Sequence, residues 1–199
     1  MTESYAQRDE SDAATVLVVD DEDDTREIFK IYLEECGYQV RTAATGESAL
    51  EQLDGDVDIV LLDRRMPDMT GADVLDTIRT GPHDCRIAMV TAVAPQEELL
   101  SLPVDDYLTK PLSGDKLVDV VAQLLTLDSY EETLSEYHRL VRIHERLQSN
   151  TRDRPSMHLL DALADERRAV EQQLEELRAQ LSDELLAKTA ISDNHVSAC

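Results

Sequence analysis

The sequence predicts an α/β fold, a doubly wound parallel sheet with a helical extension, on two observations. Short apolar runs rich in Val, Ile and Leu alternate with amphipathic stretches. The alternation stops after Pro111, and apolar positions beyond it recur only at helical spacing. Parallel neighbours need crossover connections, so strand and helix in alternation imply a parallel sheet covered on both faces. Chemistry in such a sheet collects beyond the carboxyl ends of the strands.

Five strands are expected at 16–19, 39–43, 59–62, 87–90 and 107–108. Helices are expected near 25–35, 47–53, 72–79 and 96–101, with a long one from about 114. Residues 1–13 are polar, acidic and without periodicity, which reads as a tail. Past Pro111, Leu117, Val121, Leu124, Leu127, Leu134, Tyr137 and Val141 predict a helix that runs on into a second helix or forms one rod. The polar stretch 150–155, ending in Pro155, predicts a break. A further amphipathic helix then carries Leu160, Leu163, Val170, Leu174, Leu177 and Leu181. Two such helices suggest an antiparallel hairpin or a dimer seam; helices folded back onto the sheet are the alternative.

Bulk properties narrow the function classes. The chain has 199 residues and a formal net charge of -24, which disfavours direct DNA binding, because gripping a phosphate backbone relies on Lys and Arg. No apolar run approaches the ~20 residues that span a bilayer, and residues 1–10 lack a basic start and an apolar stretch. A cytoplasmic protein without membrane contact is expected. Cys36, Cys85 and Cys199 are scattered, which points to neither a disulfide framework nor a zinc site but to buried or incidental thiols. Abundant Asp, Arg in preference to Lys, and few aromatics resemble the cytosolic proteins of salt-adapted haloarchaea, where ionic strength screens an acidic surface. An ordinary acidic mesophilic protein is the alternative.

In a chain with 43 acidic residues, position discriminates where composition does not. Asp20 and Asp21 follow the apolar run 15–19, and Asp63 follows 58–62, so all three are expected at one edge of the sheet, converging on one pocket. Clustered carboxylates call for a cation, and an all-oxygen site with few protein ligands suits Mg²⁺. Thr91 and Lys110 end two later strands. A hydroxyl and an ammonium there can receive phosphoryl oxygens, with Asp63 as nucleophile forming an aspartyl-phosphate.

Four motifs, Val-Val-Asp20-Asp21-Glu22, Leu-Leu-Asp63-Arg-Arg-Met66-Pro67-Asp-Met-Thr-Gly71, Val-Thr91-Ala92 and Asp-Tyr107-Leu-Thr-Lys110-Pro111, resemble the signature of the response-regulator receiver family. The resemblance covers residues 14–127. It implies a flavodoxin-like sheet of strand order 2-1-3-4-5 and a phosphoryl group accepted by Asp63 from a histidine kinase. Asp20, Asp21, Asp63 and the main-chain carbonyl of Arg65 would hold Mg²⁺, with Thr91 and Lys110 on the phosphoryl group. It also implies that Tyr107 swings inward as Thr91 moves, that Pro67 and Gly71 shape the turn after the acceptor, and that the Lys110-Pro111 bond is cis. Self-phosphorylation and slow autodephosphorylation would be the only catalysis, and Arg65 and Val93 fall where the family tunes phosphate lifetime. The chain departs from the pattern in a shorter stretch from Thr91 to Lys110 and in Leu102-Pro103, which predicts a short or irregular fourth helix.

Residues 128–190 resemble the HalX domain attached to receivers in haloarchaea, with 191–199 as a second tail. With no basic recognition helix, Gly-rich phosphate loop or catalytic cluster, the segment is read by exclusion as an interaction element, with output by protein contacts to an unknown downstream partner and a homodimer through the C-terminal helices expected. His138, His144, His158 and His195 lack a phosphotransfer context and are read as surface residues, and Arg139, Arg142 and Arg146 either pair with acids of the next helix or form a solvated face. Two rival classes are kept. Asp21, Asp23 and Thr25 also fit the DxDx[TV] pattern of haloacid-dehalogenase-type phosphohydrolases, though that family's later acidic motif is missing. A structural adaptor with a degenerate receiver is the other.

Overall fold

The computed structural model describes residues 13–92, 102–149, 157–182 and 185. The expected tails, the expected helix at 96–101, Val93, the break at 150–155, His195 and Cys199 lie outside these residues. The chain divides into two compact units after Leu124.

In the first unit, strands β1 (Thr15–Val19), β2 (Gln39–Ala43), β3 (Val57–Asp63), β4 (Arg86–Thr91) and β5 (Asp106–Thr109) form one sheet. All pairings are parallel and the order is β2-β1-β3-β4-β5, as expected. Helices α1 (Asp23–Glu35), α2 (Gly46–Gln52) and α3 (Gly71–Thr80) connect them, and α4 (Gly114–Ser149) follows β5.

Local sequence explains the boundaries. The α2 and α3 starts are closed by reciprocal side-chain to backbone bonds, Thr45 with Ser48 and Thr70 with Asp73, which satisfy amide donors that the first turn leaves free. Helix α1 opens with Asp23 and Asp24, whose charge suits the positive end of the helix dipole. It ends before Gly37, whose φ of +88° is the left-handed conformation that glycine adopts without strain.

Side-chain alternation along the central strands builds two cores. Leu17, Val19, Val60, Leu62, Ile87 and Met89 pack in one cluster with Ala49 and Leu53 near α2 and Val74, Leu75 and Ile78 of α3. Val16, Val18, Ile59, Leu61, Ala88 and Val90 point the opposite way and are equally buried, as are Phe29 and Leu33 of α1 and Leu117, Val121 and Leu124 of α4. With both faces covered, β1 from Val16 to Val19 and β3 from Ile59 to Leu62 read as unbroken apolar runs. Cys85 is buried, and burial pushes its thiol up to about 11, so it is inert; Cys36 is exposed.

The second unit holds the remainder of α4 and α5 (Met157–Gln180). Leu127, Leu140, Leu181 and Leu185 are buried there. Arg139 pairs with Glu136 one turn back, and Glu166 of α5 adds to the field that holds its charge. The carboxylate that Arg139 pairs with thus lies on its own helix, whereas acids of the next helix were the expected partners.

Candidate phosphoacceptor site

Strand register assembles the site. Leu62 pairs with Val19, so Asp63 lies beside Asp20, the residue that follows β1. Asp63 pairs with Val90, so Thr91 is one step further along β4; Thr91 pairs with Thr109, and Lys110 follows. Four residues separated by up to 90 positions thus reach one carboxyl-terminal edge because each ends or follows a strand of the same parallel sheet.

Lys110 is the centre of the cluster. Its Nζ donates to Asp20 Oδ2 at 2.7 Å, and lies 3.0 Å from Asp63 Oδ1 and 3.6 Å from Glu22 Oε2. Burial works against the Lys110 charge, but its bonds to Asp20 and Asp63 outweigh that and hold the ammonium above its ordinary value. Asp20 is buried, which raises its carboxyl despite the bonds from Lys110 and the Glu22 amide. Asp63 is also buried, and its Oδ2 accepts from the Arg65 amide at 2.7 Å. Two buried carboxylates facing one ammonium leave the cluster a net negative charge, which favours a further cation.

The turn after Asp63 is fixed on both sides. The Arg64 amide donates to the Val90 carbonyl at 2.9 Å, and the Gly71 amide donates to the Arg64 carbonyl at 3.0 Å. A Cβ on Gly71 would lie 2.3 Å from the Asp63 carbonyl oxygen, a backbone atom that cannot rotate away. Gly71→Ala is therefore expected to cost about 1–3 kcal/mol by overpacking and to displace the acceptor. Thermal melting and acetyl phosphate labelling of that variant check both effects. Pro67 is exposed on the same turn, and the Lys110-Pro111 peptide bond is cis, as the resemblance implied.

Two of the three carboxylates expected at this edge, Asp20 and Asp63, share the Lys110 ammonium. Asp21 is exposed, and among the described residues no group of three His, Cys, Asp or Glu converges as a metal site. The chain bends at Asp21, between the end of β1 and the start of α1. The histidines do not gather either; His138 and His158 are exposed and His144 contacts Gln148. Two residues near the cluster had no role in the sequence reading. Glu22 approaches Lys110, and Arg26 donates to the Asp20 carbonyl from α1. An Arg three residues after Asp23 is a signal, but one that reads as an ordinary surface pair.

Thr91 is buried at the end of β4, and its carbonyl accepts from the Lys110 amide at 2.8 Å. Tyr107 is half-buried against the α2–α3 side of the core, the side on which Met69, Leu102 and Val104 also pack. Burial raises its hydroxyl, with Arg64 acting in the opposite direction.

The donors present fit Mg²⁺. They are oxygens, and Mg²⁺ characteristically takes one or two carboxylates and keeps waters, so Asp20 and Asp63 with a nearby carbonyl suffice without a third converging acid.

The model of the response regulator receiver domain matches residues 16–122. The chain belongs to this family. It thus carries the receiver domain of a two-component response regulator, a group whose members act as signalling switches and are phosphorylated on Asp by histidine kinases. A Haloferax volcanii protein named "Putative transcriptional regulator" is 42% identical over 156 residues, 78% of this chain and 26% of that protein. The response regulator SaeR of Staphylococcus aureus is 36% identical over 114 residues, 56% of this chain and 50% of SaeR. The chain therefore spans half or less of these relatives. Among solved structures, TrrA of Thermotoga maritima, determined with Mg(2+)-BeF, is 38% identical with a TM-score of 0.52, covering 56% of this chain and 98% of TrrA. No described helix is long and apolar enough to cross a membrane.

Proposed function

We propose that Asp63 is the phosphoacceptor, that a histidine kinase supplies the phosphoryl group, and that the C-terminal helices pass the signal to a protein partner. The observation that carries this reading is the Lys110 ammonium held between Asp20 and Asp63, 3.0 Å from the Asp63 carboxylate.

An Asp63 carboxylate oxygen attacks phosphorus, the bond from phosphorus to the kinase imidazole nitrogen breaks, and the nitrogen keeps the electron pair. Lys110 is placed to balance charge on a phosphoryl oxygen, and the Thr91 hydroxyl to donate to another. Asp20, Asp21, Asp63 and the Arg65 carbonyl would hold Mg²⁺, which when bound supplies positive charge for the phosphoryl oxygens. Once Thr91 is drawn to the phosphoryl group, Tyr107 is free to pack further inward, a shift between two populated states.

Residues 128–190 are assigned to a HalX-like domain that dimerises and contacts the downstream protein. Support comes from the Haloferax volcanii alignment, which exceeds the receiver match of residues 16–122. Only fifteen residues precede position 16, so the similarity must run well past 122 into the helices. That relative's name concerns transcription, whereas a net charge of -24 points this chain toward protein rather than DNA contact. The exposed Asp21 argues against the phosphohydrolase, whose nucleophile it would be.

The test is incubation of the full chain with Mg²⁺ and acetyl phosphate in high salt, followed by intact mass. A gain of one phosphoryl group, abolished by a chelator, is expected. Turnover of phosphate esters without a stable adduct contradicts the reading. Light scattering with beryllofluoride tests the dimer; an unchanged mass removes it.

The same site predicts a pH effect. Because burial raises the Asp20 carboxyl above its unfolded value, its contribution to stability is present at low pH and is lost as pH rises through the folded value. Above that value the buried Asp20 charge costs stability, which a bound Mg²⁺ would offset. Asp20→Asn, which keeps an acceptor for Lys110, is expected to melt higher than wild type at pH 7 without metal, with the gap closing in acid. Melting curves with and without Mg²⁺ across pH measure this, and Mg²⁺ is expected to stabilise the wild type alone.

A further inference from the structure

Five acids in succession, Asp20 to Asp24, lie at the site's edge, and the structure sorts them. Asp20 turns inward to Lys110, while Glu22 Oε2, 3.6 Å from the same ammonium, accepts from Thr25 Oγ1 at 2.9 Å. Arg26 does more. Its Nη1 donates to the Asp20 main-chain carbonyl at 2.5 Å, and its Nη2 pairs with the Asp23 carboxylate. Its side chain is only 14% exposed, unlike that of Asp23 at 91%. The Asp20 amide donates to the Ala43 carbonyl at 3.1 Å, so Asp20 is held at both ends of its backbone.

We propose that Arg26 is a positioning residue for the divalent cation, its guanidinium fork fixing the β1–α1 turn so that Asp20 faces Asp63 while Asp23 is kept away. The proposal rests on the reading of Asp20 and Asp63 as cation ligands. Outer partners that orient a metal's carboxylates commonly account for about ten- to a hundredfold in affinity. The fork also reaches two acceptors at once, which a lysine ammonium on a flexible stem does not reproduce.

The sign of the effect separates positioning from charge. Removing a cation beside an acidic site strengthens Mg²⁺ binding if Coulomb attraction alone counts. Positioning requires the reverse. Mg²⁺ titration calorimetry and metal-dependent melting of the full chain, in high salt, are to be compared for wild type, Arg26→Gln and Arg26→Lys. Arg26→Gln is expected to bind Mg²⁺ about tenfold or more weakly, with Arg26→Lys between it and wild type. Equal or tighter binding by Arg26→Gln overturns the proposal. If that variant does not fold, Arg26→Lys decides: weaker binding supports the proposal and wild-type affinity overturns it. Absence of Mg²⁺ binding by the wild type overturns the underlying reading and this proposal together, a pattern distinct from wild-type binding that the variants retain.

Discussion

Asp63→Asn is expected to abolish phosphoryl incorporation while leaving the fold intact. The substitution keeps the volume of the side chain and an oxygen to accept from the Arg65 amide, which lies 2.7 Å from Asp63 Oδ2. It removes the anionic nucleophile, for which an amide is no substitute. It also removes one of the two buried negative charges around Lys110, so the metal-free variant is expected to melt at or above wild type. Intact mass after acetyl phosphate treatment and a melting curve give both readouts. A phosphorylated Asp63→Asn chain moves the acceptor elsewhere, and an unfolded one indicates a structural role for the carboxylate.

Lys110→Met is expected to have the largest effect on stability. It leaves Asp20 and Asp63, at 2% and 8% side-chain exposure, without their shared counter-charge. Removing one partner from a buried ion cluster costs about 3–5 kcal/mol, and Asp20, already raised by burial, would rise further. Mg²⁺ is expected to restore much of the loss, since it supplies positive charge to the same carboxylates. Phosphorylation should fall sharply even with metal, because one charge facing the phosphoryl oxygens is gone. Melting with and without Mg²⁺ separates these effects. A metal-free Lys110→Met chain as stable as wild type would mean that the ammonium is a bystander.

Why the site was legible in the sequence is visible in the register. Asp63, Thr91 and Lys110 end or follow apolar runs, and in a parallel sheet every strand end marks the same edge. The order of the runs thus converts directly into proximity. Asp21 is less legible by this logic, because one residue past the strand the backbone bends and the residue is exposed. Arg26 escaped notice for a related reason: its grip on the Asp20 carbonyl is a contact with backbone, which side-chain patterns do not encode. The helical extension was legible as helices, since α4 and α5 follow the apolar spacing. Its partner was not, because a seam of Leu and Val specifies burial without naming what buries it.

The most direct test of the central claim is to map the labelled site. The full chain is phosphorylated with acetyl phosphate and Mg²⁺, the acyl phosphate is trapped by borohydride reduction, and the digested peptides are sequenced by mass spectrometry. The account predicts reduction at Asp63 alone, lost when Mg²⁺ is chelated. Label at Asp20 or Asp21, or label at Asp63 that is indifferent to the metal, would contradict it.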